Sequence, residues 1–196
     1  MRHFSIRPAI TVRGRKFNGL RGWSGKPFHP PLTDIPIAAY ILTAGFDVAS
    51  WAGGDDRRWA EELWHAATWI LVAGAATSVL TALTGFFDWW RSSTPGTQAR
   101  RTINTHATIM LTVTALVLVN LAVRAAGYDD HEATPLAIAA LSTVSAALVA
   151  LGSTYGGTLV FDYGFNVETA TDSPVWHPDE TDHLPGDPEP EPEPQP

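Results

Sequence analysis

Apolar residues gather into four long runs separated by short polar stretches, approximately 35–52, 63–87, 107–123 and 135–161. Each is long enough, or nearly so, to cross a bilayer as a helix of ~17–25 residues. Inside them Asp47 is the one acid and His65 the one histidine. A helix packed into a soluble core normally keeps a charged face, and these runs have none. The pattern predicts an all-α fold, a polytopic four-helix transmembrane bundle in a lipid bilayer. The connections 53–62 and 124–134 are short, so successive helices are expected to be antiparallel neighbours. Small residues at four-residue spacing let helices approach closely in lipid. The second run offers Gly74, Ser78 and Ala82; the fourth offers Ser142, Ala146 and Ala150, and also Gly152 with Gly156.

The near-neutral mean hydropathy of the 196 residues averages this apolar middle with two polar ends. Residues 1–33 carry seven of the thirteen Lys and Arg and no acid, whereas residues 162–196 carry ten of the twenty acids and no Lys or Arg. The expected organisation is a basic cytoplasmic tail (1–33), a transmembrane domain (34–165) and an acidic, Pro/Glu-rich disordered tail (166–196). The N-terminal tail and the 88–106 loop together hold ten Lys and Arg; the opposite side has Arg57, Arg58 and Arg124. That bias predicts an inner-membrane protein with both termini in the cytoplasm. Trp51, Trp59, Trp64 and Trp69 are then expected at the outer interface, and Trp89 and Trp90 at the inner one. No apolar segment follows the basic start at signal-peptide distance, so an uncleaved chain is expected. The basic tail suits anionic lipid head groups and lacks a folded module for reading nucleic acid. His177 and His183 sit in the acidic tail and read as solvated. With no cysteine, disulfides, thiol catalysis and iron–sulphur ligation by this chain are excluded. No phosphate-binding glycine loop, catalytic-triad spacing or zinc-protease helix motif is present.

The candidate chemistry comes from an internal repeat. His29 precedes the first run, and the second ends in Phe87-Asp88-Trp89; His106 precedes the third, and the fourth ends in Phe161-Asp162-Tyr163. Two pseudo-repeated helix hairpins would be related by an axis along the membrane normal. His29, Asp34, Asp88, His106 and Asp162 then share one membrane face. Two histidines there have the chemistry to ligate a haem iron, or with carboxylates a transition metal. Asp88 and Asp162 are candidates to accept the histidine N–H groups and orient the rings. Structural alternatives stand beside this reading. Asp34 fits a helix N-cap, with Pro36 just behind it. Asn104 or Thr105 fits the cap of the third helix. Asp88 and Asp162 fit interfacial carboxylates paired with Arg91, Arg100 or Arg101. Asp47 needs a partner inside the membrane, and His65 at similar depth is the expected one, either as a lock between helices or as a proton or ion relay.

Three segments carry a family resemblance: HPPLTDIPIAAY entering the first run, GFFDWW ending the second with a histidine opening the third, and YGGTLVFDYGFNV ending the fourth. Over about residues 28–168 the chain resembles a widespread bacterial family of four-helix inner-membrane proteins filed as a domain of unknown function. The resemblance marks His29, Asp47, Asp88, His106, Gly156 and Gly157. Many members carry a second histidine where this chain has Asp34. Some are joined to, or encoded beside, Rieske-type iron–sulphur proteins, which implies a redox neighbourhood and a Rieske-type partner. The expected function is a redox-associated membrane component, with haem b or a transition metal as candidate cofactor. The rivals are a non-catalytic anchor or assembly subunit for a redox partner, and a proton or ion transporter using Asp47 and His65. Four helices are few for transport, so that rival expects a homo-oligomer.

Overall fold

The computed structural model describes residues 19–20 and 26–167. The expectations for the rest of both tails, including His177 and His183, fall outside these residues. Four helices form an all-α bundle: α1 (His29–Gly53), α2 (Arg58–Ser92), α3 (Gln98–Ala126) and α4 (Leu136–Gly157). A π-helical turn, Thr158–Asp162, prolongs α4. All four helices are long and apolar enough to span a membrane. The chain is a multi-pass membrane protein.

α1, α2 and α3 each reach beyond their apolar runs at both ends, because helix formation does not stop where hydropathy does. α1 begins at His29, ahead of the expected boundary, with Pro30 and Pro31 in its first turn. Proline is tolerated there because the first N–H groups of a helix have no intrahelical partner. Asp34 is therefore an exposed residue within the helix and not its cap. α3 begins at Gln98, capped by the Thr97 hydroxyl, which accepts from the Arg100 N–H at 3.1 Å. Neither Asn104 nor Thr105 is the cap, and His106 lies more than two turns inside the helix. Of the tryptophans expected at the outer interface, Trp51, Trp59 and Trp69 are exposed, but Trp64 is fully buried.

α1 packs on α2 and α4, and α3 packs on the same two, so α1 and α3 face each other diagonally. The α1–α2 seam is the most extensive. It is close because Gly74 has no side chain: a Cβ there would lie 2.7 Å from the Ala39 Cβ. Pro36 shapes the same seam. Lacking an N–H, it leaves the Leu32 carbonyl without its helical donor, and the Thr81 hydroxyl of α2 fills the place at 3.2 Å. Mid-bundle, Ala39, Tyr40, Leu71, Val113, Val117 and Val149 form an apolar core. Large apolar side chains such as Leu83, Leu111, Leu118 and Leu151 cover the outside, as a lipid-facing surface requires. The core separates two polar ends, one holding Asp47 and the other the two histidines.

Candidate cofactor site and a buried ion-pair network

At the histidine end, each ring is held by the second helix of its own hairpin. His29 places Nδ1 3.0 Å from the Thr81 carbonyl and 3.2 Å from the Thr84 hydroxyl on α2. His106 places Nδ1 2.8 Å from the Gly152 carbonyl on α4. A carbonyl oxygen only accepts, so Nδ1 carries the hydrogen in both rings, and a neutral ring keeps its lone pair on Nε2. Four residues after each carbonyl comes a glycine against the ring. A Cβ on Gly85 would lie 2.7 Å from Cε1 of His29, and one on Gly156 would lie 3.3 Å from Cε1 of His106. Each hairpin thus builds the same device: a histidine on the first helix, a helical carbonyl on the second, and a glycine one turn later that admits the ring. The two histidines sit on diagonal helices at the same end of the bundle. Both are half-buried.

The two aspartates do not support these rings. Among the described residues neither carboxylate hydrogen-bonds a histidine, because the backbone carbonyls already take the Nδ1 hydrogens. Asp88 is buried and its Oδ1 accepts the Leu20 N–H at 3.0 Å. Asp162 is exposed on the π-helical turn, and it lies six residues past Gly156 where Asp88 lies three past Gly85, so the two aspartates do not hold equivalent places in the repeat. Nor do the neighbouring arginines pair with them. Arg100 lies over the Trp89 ring at 3.8 Å and donates to the Trp89 carbonyl, and Arg91 lies near the Trp90 ring. Among the described residues no group of three or more His, Cys, Asp or Glu side chains could hold a metal ion.

At the other end, Asp47 has a partner, but it is not His65. Its Oδ2 accepts from Arg124 Nη2 and, at 2.5 Å, from the Ser142 hydroxyl; its Oδ1 accepts from the Thr134 hydroxyl at 3.2 Å. Arg124 donates further, to Asn120 Oδ1 and to the Thr68 hydroxyl, each at 2.8 Å. Its guanidinium also lies 4.5 Å from the centre of the buried Trp64 ring, a favourable cation–π placement. Asn120 closes the circuit by donating to Ser142 at 2.8 Å. Side chains of α1, α2, α3 and α4 meet here, and Asp47 and Arg124 are 0% exposed. His65 instead packs its ring 4.7 Å from that of Tyr128. Arg124 escapes the sequence reading because it falls one residue past the third apolar run and counts there as a loop charge. Its signal is Asn120, one helical turn earlier on the same face.

Chemically the two ends differ. Both oxygens of Asp47 are engaged, by donors from α3, α4 and the connection between them, an arrangement that suits a clasp between helices. The histidine end leaves both Nε2 atoms without a hydrogen bond among the described residues. Comparison of the chain with curated proteins and with solved structures finds no match. A family model described as "Predicted membrane protein (DUF2231)" matches residues 25–169, most of the chain, and the protein belongs to that family.

Proposed function

We propose that the protein is a redox-associated component of the cell inner membrane that holds haem b between His29 and His106. The paired anchorage of the histidines carries this reading. Two independent hairpins each fix an imidazole through Nδ1 to a helical carbonyl and clear space for it with a glycine. That arrangement sets the tautomer and turns Nε2 into a ligand, as the outer hydrogen bond of a metal-bound histidine does. Two nitrogen ligands suit haem better than a bare transition metal, since a protein-held metal ion usually takes three or four protein ligands and haem brings four nitrogens of its own. Haem would supply one-electron chemistry. The chain's own part is to orient the two rings, exclude water with the apolar core, and keep the far end rigid through the Asp47 network.

In this reading both termini face the cytoplasm, since burial of Arg124 leaves only Arg57 and Arg58 on the opposite side. A Rieske-type protein is the electron-transfer partner implied by the family resemblance. The rival reading is a non-catalytic anchor or assembly subunit, favoured by the closed Asp47 network, which serves assembly and no chemistry. An absorption spectrum separates the two. Protein purified from haem-replete membranes is expected to show a Soret band and sharpened visible bands on reduction. His29→Ala and His106→Ala should each abolish them. Colourless protein that also fails to take up added haem would leave the anchor reading standing.

A further inference from the structure

The turn between α2 and α3 gathers three arginines, Arg91, Arg100 and Arg101, and residues 89–106 contain no acid. Arg91 and Arg101 are exposed, whereas Arg100 is half-buried and held in place. Its guanidinium lies 3.8 Å from the centre of the Trp89 ring. That ring is itself fixed, since Trp89 Nε1 donates to Asn104 Oδ1 at 2.9 Å. Arg100 Nη1 donates to the Trp89 carbonyl at 3.2 Å, to the Ser93 carbonyl at 3.4 Å and to the Ser93 hydroxyl. Nε and Nη2 form the edge that takes two oxygens side by side, and among the described residues they have no hydrogen bond. Closing the end of α2 needs only positive charge near its last carbonyls. A stacked, tethered guanidinium with its two-pronged edge open is shaped for an anion as well. The depth fits a head group. Phe86 and Trp90, one helical turn apart on α2, are both 62% exposed, and the second apolar run ends at residue 87. Arg100, level with Trp89, therefore stands where hydrocarbon gives way to the polar layer.

We propose that Arg100, stacked on Trp89, binds the phosphate group of an anionic phospholipid, with Arg91 and Arg101 on the same turn adding to the positive field. A guanidinium presents two parallel N–H groups that match two phosphate oxygens, which an ammonium cannot do. The ring beneath adds cation–π attraction and keeps the plane of the fork fixed. Depth selects a lipid over a free phosphate, because head-group phosphates are concentrated at this level. The arginines beside it select an anionic head group over a choline one, whose own cation they repel. The site stands apart from the histidines and needs no cofactor.

The test uses the full chain in nanodiscs of phosphatidylcholine, alone or mixed with phosphatidylglycerol. Phenylglyoxal, which modifies accessible guanidinium groups, is applied briefly, and each arginine is quantified by mass spectrometry. Phosphatidylglycerol is expected to protect Arg100 about fivefold more than Arg58, the scale of one cation at an anionic head group; Arg58 is exposed at the opposite end of the bundle. In native mass spectrometry from an equal mixture of the two lipids, the parent chain should retain phosphatidylglycerol in preference. Arg100→Lys keeps the charge and loses the fork, and should lose most of that preference, whereas Arg58→Gln should keep it. Equal protection at Arg58 and Arg100 would reduce the effect to surface charge and overturn the site. So would an unchanged preference in Arg100→Lys, or shielding of Arg100 in both lipids alike, the result expected if the chain's own acidic tail held it. Protection by inorganic phosphate in phosphatidylcholine nanodiscs, to the same extent, would overturn the assignment to a lipid. The protection is read on the parent chain, so the test survives a variant that fails to fold.

Discussion

The two ends of the bundle bury polar groups in opposite ways. At the Asp47 end a carboxylate and a guanidinium are wholly buried, and hydroxyl and amide partners from the surrounding helices and the α3–α4 connection bond to them. At the other end two half-buried histidines each spend one nitrogen on a helical carbonyl, and among the described residues the second has no hydrogen bond. In a low-dielectric interior an unpaired polar group is costly, so the closed Asp47 network fits architecture, and the proposed function places the chemistry at the histidine end. The family resemblance marks residues at both ends, and only the hydrogen bonds tell them apart.

The largest expected effect is at the Asp47 end. Arg124→Met strands a buried carboxylate and should cost about 3–5 kcal/mol, read from unfolding of the purified protein in mixed detergent. Combining it with Asp47→Leu should recover most of that loss, because no charge is then left unpaired. In the same assay His29→Ala or His106→Ala should cost only about 1 kcal/mol, the scale of one hydrogen bond. A histidine loss as large as that of Arg124 would erase the distinction between the ends.

Next comes the glycine at each ring. Gly85→Ala places a methyl 2.7 Å from Cε1 of His29, whereas Gly156→Ala leaves 3.3 Å to His106. If the proposed haem is bound, Gly85→Ala should therefore weaken its binding more, by about 10–100-fold, the scale at which loss of a ligand's supporting contact acts in metal sites. Haem titration of the two variants measures the difference, and equal effects would mean that the glycines do not set the ring positions. The smallest effect belongs to the middle of the bundle. The Tyr40 hydroxyl lies 2.6 Å from that of Ser78, and Tyr40→Phe should cost about 0.6 kcal/mol, the average for hydrogen bonds between membrane helices. Under the proposed function it should leave the spectrum of any bound haem unaltered, since Tyr40 belongs to neither end.

The four helices, their antiparallel order and the histidine repeat were legible in the chain, because hydropathy and helix length are local properties and lipid enforces them on every span. Helix starts were less so: proline in a first turn and a threonine cap act through backbone geometry that hydropathy ignores. His29 and His106 were legible as a pair, but not what holds them, since their partners are backbone carbonyls and a carbonyl has no letter in the sequence. Asp88 and Asp162 carry the same flanking aromatics and meet different fates, one buried against a distant N–H and one exposed on a π-helical turn. The sequence showed that Asp47 must find a partner. Whether that was His65 or Arg124 depended on which residues of four diagonal and adjacent helices share a depth and a face. Only the packed bundle decides that, because it rests on helix rotation and close approach, which are properties of the assembled seams and not of any one span.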